Sequence, residues 1–187
     1  MPVQNNLAEV LLKGAVASIA GGMAIKLLWD AGQRTFVAAD RRVPSPTAEV
    51  VRRLAARRGL VLAPSREQAA AGAIYGATML AYGALYGIVQ SRYRPPPVVH
   101  GLLLAGIMYA ANFPSFGVLP KLGVLPAPGE QSTEENAIPI VAQAAYGLVT
   151  AYVFGALGGN REARSQDLSP APWHLSPSRQ MGQNLPP

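Results

Sequence analysis

A chain of 187 residues is long enough for one soluble domain, yet half of its residues are apolar and only 14% are charged, against roughly 25% in soluble domains. It contains no cysteine, which excludes a disulfide framework, a thiolate metal site and a cysteine nucleophile. The formal charge of +6 comes largely from arginines in one connecting segment, so it describes a local patch and not a field over the whole surface.

The apolar residues are gathered into four blocks. They predict an all-α, polytopic integral membrane protein: a four-helix transmembrane bundle, 1–159, with a basic amphipathic connecting segment. The first block, about 10–29, reads VLLKGAVASIAGGMAIKLLW. It is long enough to span, since roughly 20 residues at 1.5 Å each cover the hydrocarbon core, and Lys13 and Lys26 lie near its ends, where long side chains snorkel. The rival reading is a cleaved signal peptide, with Ser18-Ile19-Ala20 as the small-residue cleavage site. Against it, the apolar run continues past Ala20 through LLW, as an anchor does.

The basic connection, 30–68, carries Arg34, Arg41, Arg42, Arg52, Arg53, Arg57, Arg58 and Arg66. Arginines flanking spans stay on the cytoplasmic side, which predicts both termini outside. Ser45-Pro46 reads as a helix start with proline at the first position. Val50, Val51 and Leu54 then face one way, and Arg52, Arg53, Arg57 and Arg58 are candidates for contact with an anionic lipid surface. The arginine run lacks aromatic interleaving and any nucleic-acid module, so no nucleic-acid partner is expected.

The second block, about 69–90, has no charge. The third, about 98–113, is shorter than a full span and needs its flanks or a thin bilayer. Between it and the fourth block lies NFPSFGVLPKLGVLPAPGE, residues 112–130. Its prolines stop helix continuation and its glycines permit turns, so it reads as a packed interfacial turn; a re-entrant loop would need protein or water around its backbone groups. The fourth block, about 138–158, is entered through Ser132-Thr133-Glu134-Glu135, the spacing of a capping box, with Asn136 as a competing cap. The tail, 160–187, is rich in Pro, Ser and Gln and is expected to be disordered.

Small residues recur at four-residue spacing in two blocks: Gly14, Ser18 and Gly22 in the first, Gly147, Ala151 and Gly155 in the fourth. Helices in lipid associate through close backbone packing, so these are helix-packing candidates, within the chain or between chains. Gly72 and Gly76 add to them in the second block, beside a stripe of Tyr75, Met79, Tyr82 and Tyr86. The polar candidates at membrane depth include Lys26, Asn112 and Gln143. The spans contain no carboxylate at their centres, which counts against proton-coupled transport. His100 and His174 have no partner at ligand or triad spacing, so no metal, cofactor or histidine-based catalysis is expected; His100 reads as an interfacial side chain. Glu130, Glu134 and Glu135 fit capping and the helix dipole.

The order of IKLLWD, RRVPSPTAEVVRRLA, GAIYGATMLAYGALYG, HGLLLAGIMYAANFPSFGVLP and AQAAYGLVTAYVFG resembles the YagU-like family of small bacterial inner-membrane proteins over about residues 8–158. The family's molecular function is unassigned, and some members are linked to acid stress. The resemblance implies a multi-pass protein of the bacterial cytoplasmic membrane. Where relatives often carry a histidine ahead of an aromatic-glycine pair in the last span, this chain has Gln143 ahead of Tyr146-Gly147. Together these readings lead to a non-enzymatic membrane protein that acts as an accessory or structural component through partners or as a homo-oligomer. A small channel or transporter is the alternative, and a membrane enzyme using the three glutamates comes third.

Overall fold

The computed structural model describes residues 3–43, 45–93 and 95–159; the expected C-terminal tail lies outside them. Among the described residues the chain is all-helical. Its order is α1 (Val3–Phe36), a 3-10 turn (Ala39–Arg41), α2 (Pro46–Ala56), α3 (Pro64–Tyr93), α4 (Pro97–Asn112), a single turn α5 (Val118–Lys121), a second 3-10 turn (Pro128–Glu130) and α6 (Thr133–Ala156). Three helices, α1, α3 and α6, are long and apolar enough to cross a membrane, while α4 is apolar but has only 16 residues.

The helix ends follow local chemistry. Ser45 caps α2, its hydroxyl accepting the Ala48 N–H at 3.3 Å with Pro46 in the first turn. Gly59, at φ 71°, closes α2, and the Leu60 N–H reaches back to the Ala55 carbonyl at 3.0 Å, the Schellman pattern. Pro95 and Pro96 separate α3 from α4, and Pro97 opens α4 where no N–H is required. Ser132 and Glu135 form the reciprocal capping box of α6, at 3.2 and 3.0 Å. Asn136 is no cap: its amide donates back to the carbonyls of Pro128, Gln131 and Ser132.

Antiparallel pairing is fixed by which residues meet. Along α1 and α3, Val10 meets Gly87, Gly14 meets Gly83, Ser18 meets Met79 and Gly22 meets Tyr75. α6 lies on the other side of α1, with Tyr146 and Thr150 against Gly21 and Ile138 against Gly32. α4 packs antiparallel on α6, Gly101 against Gly147 and Ala151. α3 and α4 meet through larger side chains at their linked ends, where Tyr86 stacks on His100 at 4.2 Å. The helices therefore alternate in direction, and both long connections, 37–63 and 113–132, come to the same end.

Apolar side chains cover the outside of this arrangement. Leu12, Val16, Ile19, Met23 and Leu27 form an exposed stripe on α1, Val98, Val99, Leu102, Leu103 and Ile107 on α4, and Ile140, Val141, Leu148 and Tyr152 on α6. Ser18, Thr150, Gln143, Gln90 and His100 are buried. This is the reverse of a water-soluble bundle, whose polar residues face out.

Candidate functional site

The interior is built around close backbone contact. A Cβ on Gly14 would enter the Gly83 carbonyl, and one on Gly87 would meet the Val10 carbonyl at 2.7 Å. Gly101 and Gly147 stand in the same relation, each blocking a Cβ on the other, with Ala151 alongside. Gly22 receives Met79 and Tyr75. Gly155 is half-buried near the end of α6, where its carbonyl accepts the Gly158 N–H at 3.0 Å. Gly72 and Gly76 have nothing within 4 Å of a built Cβ. Within the chain the glycines of α3 that meet backbone are Gly83 and Gly87, as Gly101 does on α4.

On this scaffold a short polar chain links three helices. The Ser18 hydroxyl donates to the Met79 carbonyl at 2.6 Å and lies 2.7 Å from the Tyr146 hydroxyl. Serine has one hydrogen to give, so Tyr146 donates to Ser18, and the sequence of bonds runs from α6 through α1 to α3. The Tyr75 hydroxyl adds a bond to the Gly22 carbonyl at 2.7 Å. Tyr75, Met79, Tyr82 and Tyr86 all belong to the core around these bonds. Among the described residues the Tyr86 hydroxyl and Gln143 Oε1 are buried without a hydrogen-bond partner.

A second polar group closes the end opposite the long connections. His100 is buried, 8% exposed, so it is not the interfacial side chain expected from its position at the start of the block. Gln90 Nε2 donates to the Pro95 carbonyl at 3.0 Å, which turns Oε1 toward His100 Nδ1 at 2.7 Å. An amide oxygen only accepts, so Nδ1 carries the hydrogen. One face of the ring is stacked on Tyr86, which also meets Phe154 edge-on at 5.4 Å.

At the other end the two long connections are clamped together. Arg41 pairs with Glu135 at 2.9 Å, the carboxylate being 8% exposed. Arg53 pairs with Glu49 at 2.7 Å and donates to the Leu122 carbonyl at 3.2 Å. The next residue, Gly123, has φ 71°, and a Cβ there would lie 2.8 Å from the Arg53 guanidinium. Trp29 Nε1 donates to the Val43 carbonyl at 2.8 Å, and Trp29, Val37 and Ile138 form a second core with Phe113 and Leu125. A small cavity opens here, lined by Trp29, Arg41, Tyr109, Phe113, Leu125 and Glu135 among others.

The remaining sequence candidates are separated. Lys26 is exposed and pairs with Asp30 at 2.9 Å one turn on. Asn112 donates to the Met108 carbonyl at 2.8 Å, closing its own helix. Arg52 pairs with Glu49 and Glu67, while Arg57 and Arg58 are exposed. Of Val50, Val51 and Leu54, which share one side of α2, Val51 is buried, and α2 packs on α3. Lys26, Asn112 and Gln143 thus form no common site. Among the described residues no group of three His, Cys, Asp or Glu side chains is placed to hold a metal ion. Comparison with family models, curated proteins and solved structures found no match.

Proposed function

We propose that this chain is a four-span protein of the bacterial inner membrane that acts without catalysis, as an accessory or structural component of a membrane assembly. The observation that carries this reading is the inverted surface: apolar stripes outside α1, α4 and α6, with the hydroxyl and amide bonds inside. α4 is the return span. Its 16 residues reach about 24 Å at 1.5 Å per residue, near the roughly 30 Å of hydrocarbon, and its flanking prolines and the apolar loop after it make up the difference. The clamped, arginine-bearing end lies in the cytoplasm by the positive-inside rule, and the YagU-like resemblance points to the same membrane.

Several features favour a scaffold over a conduit. Glycine backbones touch along the α1–α3 and α4–α6 seams, and the bonds of Ser18, Tyr146 and Tyr75 join helices to each other. Asn112 is satisfied within its helix. Affinity capture from native membranes followed by mass spectrometry tests the proposal: a stoichiometric protein partner is expected. A homo-oligomer with no partner that passes solute in proteoliposomes, and loses that flux on Gln143→Leu, would replace it with the channel or transporter reading.

A further inference from the structure

We infer that the turn after α2, residues 57–61, is a lipid-headgroup anchor that inserts Leu60 and Val61 into an anionic bilayer surface. This rests on the membrane reading above and refines which part of the basic connection meets lipid. Only part of the apolar side of α2 is free, because Val51 is buried against the protein while Leu54 is 45% exposed. Two of its arginines are already engaged, Arg53 with Glu49 and Leu122, Arg52 with Glu49 and Glu67. Arg57 and Arg58 are exposed and make no side-chain ion pair or hydrogen bond among the described residues. Directly after them, Val61 is 99% exposed and Leu60 55%. Two aliphatic side chains on a tip otherwise facing water gain by burial, and arginines beside them meet lipid phosphates, the combination that holds interfacial segments at anionic membranes.

The backbone holds this tip in place. Gly59 takes the left-handed conformation, φ 71°, and Leu60 N–H is tied to Ala55 O at 3.0 Å, so Leu60 and Val61 leave the helix in one fixed direction. The Arg52–Glu67 pair ties α2 to the first turn of α3. Pro64, where α3 starts, precedes the charge-free block at Ala69 by five residues, about 7.5 Å of helix. That rise falls within the interfacial layer, since the bilayer with headgroups is about 10–15 Å thicker than its core.

The chain has no cysteine, so Val61→Cys and, separately, Leu103→Cys give single labelling sites for an environment-sensitive dye. Each is reconstituted in phosphatidylcholine vesicles with and without phosphatidylglycerol, with nitroxide-bearing lipids as quenchers. The label at 61 is expected to shift to the blue and be quenched by headgroup-proximal nitroxides when phosphatidylglycerol is present. Arg57→Gln with Arg58→Gln in the Val61→Cys background should lower that partitioning roughly fivefold per arginine. A water-like label at 61 in both lipid mixtures, with the label at 103 quenched by deep nitroxides, overturns the anchor and leaves the membrane reading standing. A water-like label at 103 overturns the membrane reading itself. Shielding of position 61 only in native membranes, and not in anionic vesicles, overturns the lipid assignment in favour of an acidic protein partner.

Discussion

A methyl group on Gly147 would enter the Gly101 carbonyl, whereas one on Gly76 would meet nothing within 4 Å. Gly147→Ala is therefore expected to destabilise the fold by about 1–3 kcal/mol, the cost of overpacking a fitted interface. Gly76→Ala should gain up to about 1 kcal/mol from helix propensity alone. Reversible unfolding in mixed micelles measures both, and equal effects would contradict the packing described. Gln143 carries the opposite expectation: its Oε1 is buried without a partner among the described residues, so Gln143→Leu should be neutral or stabilising by about 1 kcal/mol. The Ser18 hydroxyl, which bonds Met79 and Tyr146, should cost about 0.6–1.7 kcal/mol when removed by Ser18→Ala, the range of polar contacts in membrane bundles.

Among the elements, those with local causes were the most legible in the sequence. Ser45-Pro46 and the Ser132–Glu135 box start helices because the bonding groups lie within three residues of each other, and the four apolar blocks correspond to α1, α3, α4 and α6. The glycine seam of α3 within the chain was not legible. Gly72, Gly76, Gly83 and Gly87 all suit close packing, and only the register against α1 selects the last two. The clamps were also illegible, because Arg41–Glu135 and Arg53–Leu122 join segments 94 and 69 residues apart in sequence. They give the proline- and glycine-rich loop a role: it seats the basic connection. Arg53→Gln should accordingly speed hydrogen exchange in residues 113–132 while insertion is retained, and Arg57→Gln should leave that exchange unchanged. Similar protection in both variants would contradict the clamp.

The whole molecule is an inside-out bundle with three helices long and apolar enough to cross a membrane; under the proposed function, α4 is in addition a short return span and both long connections face the cytoplasm. That claim distinguishes four crossings from three, because α3 and α6 run in the same direction and the chain has to come back between them. The most direct test uses single cysteines in the cysteine-free chain: Asp40→Cys and Glu130→Cys in the two connections, and Tyr93→Cys at the end of α3. All three native side chains are exposed. With a membrane-impermeant maleimide, positions 40 and 130 should react together in inside-out vesicles and be protected in spheroplasts, with position 93 showing the reverse. Reaction of 40 and 130 from opposite sides of the membrane would mean that α4 does not cross, and would contradict the account.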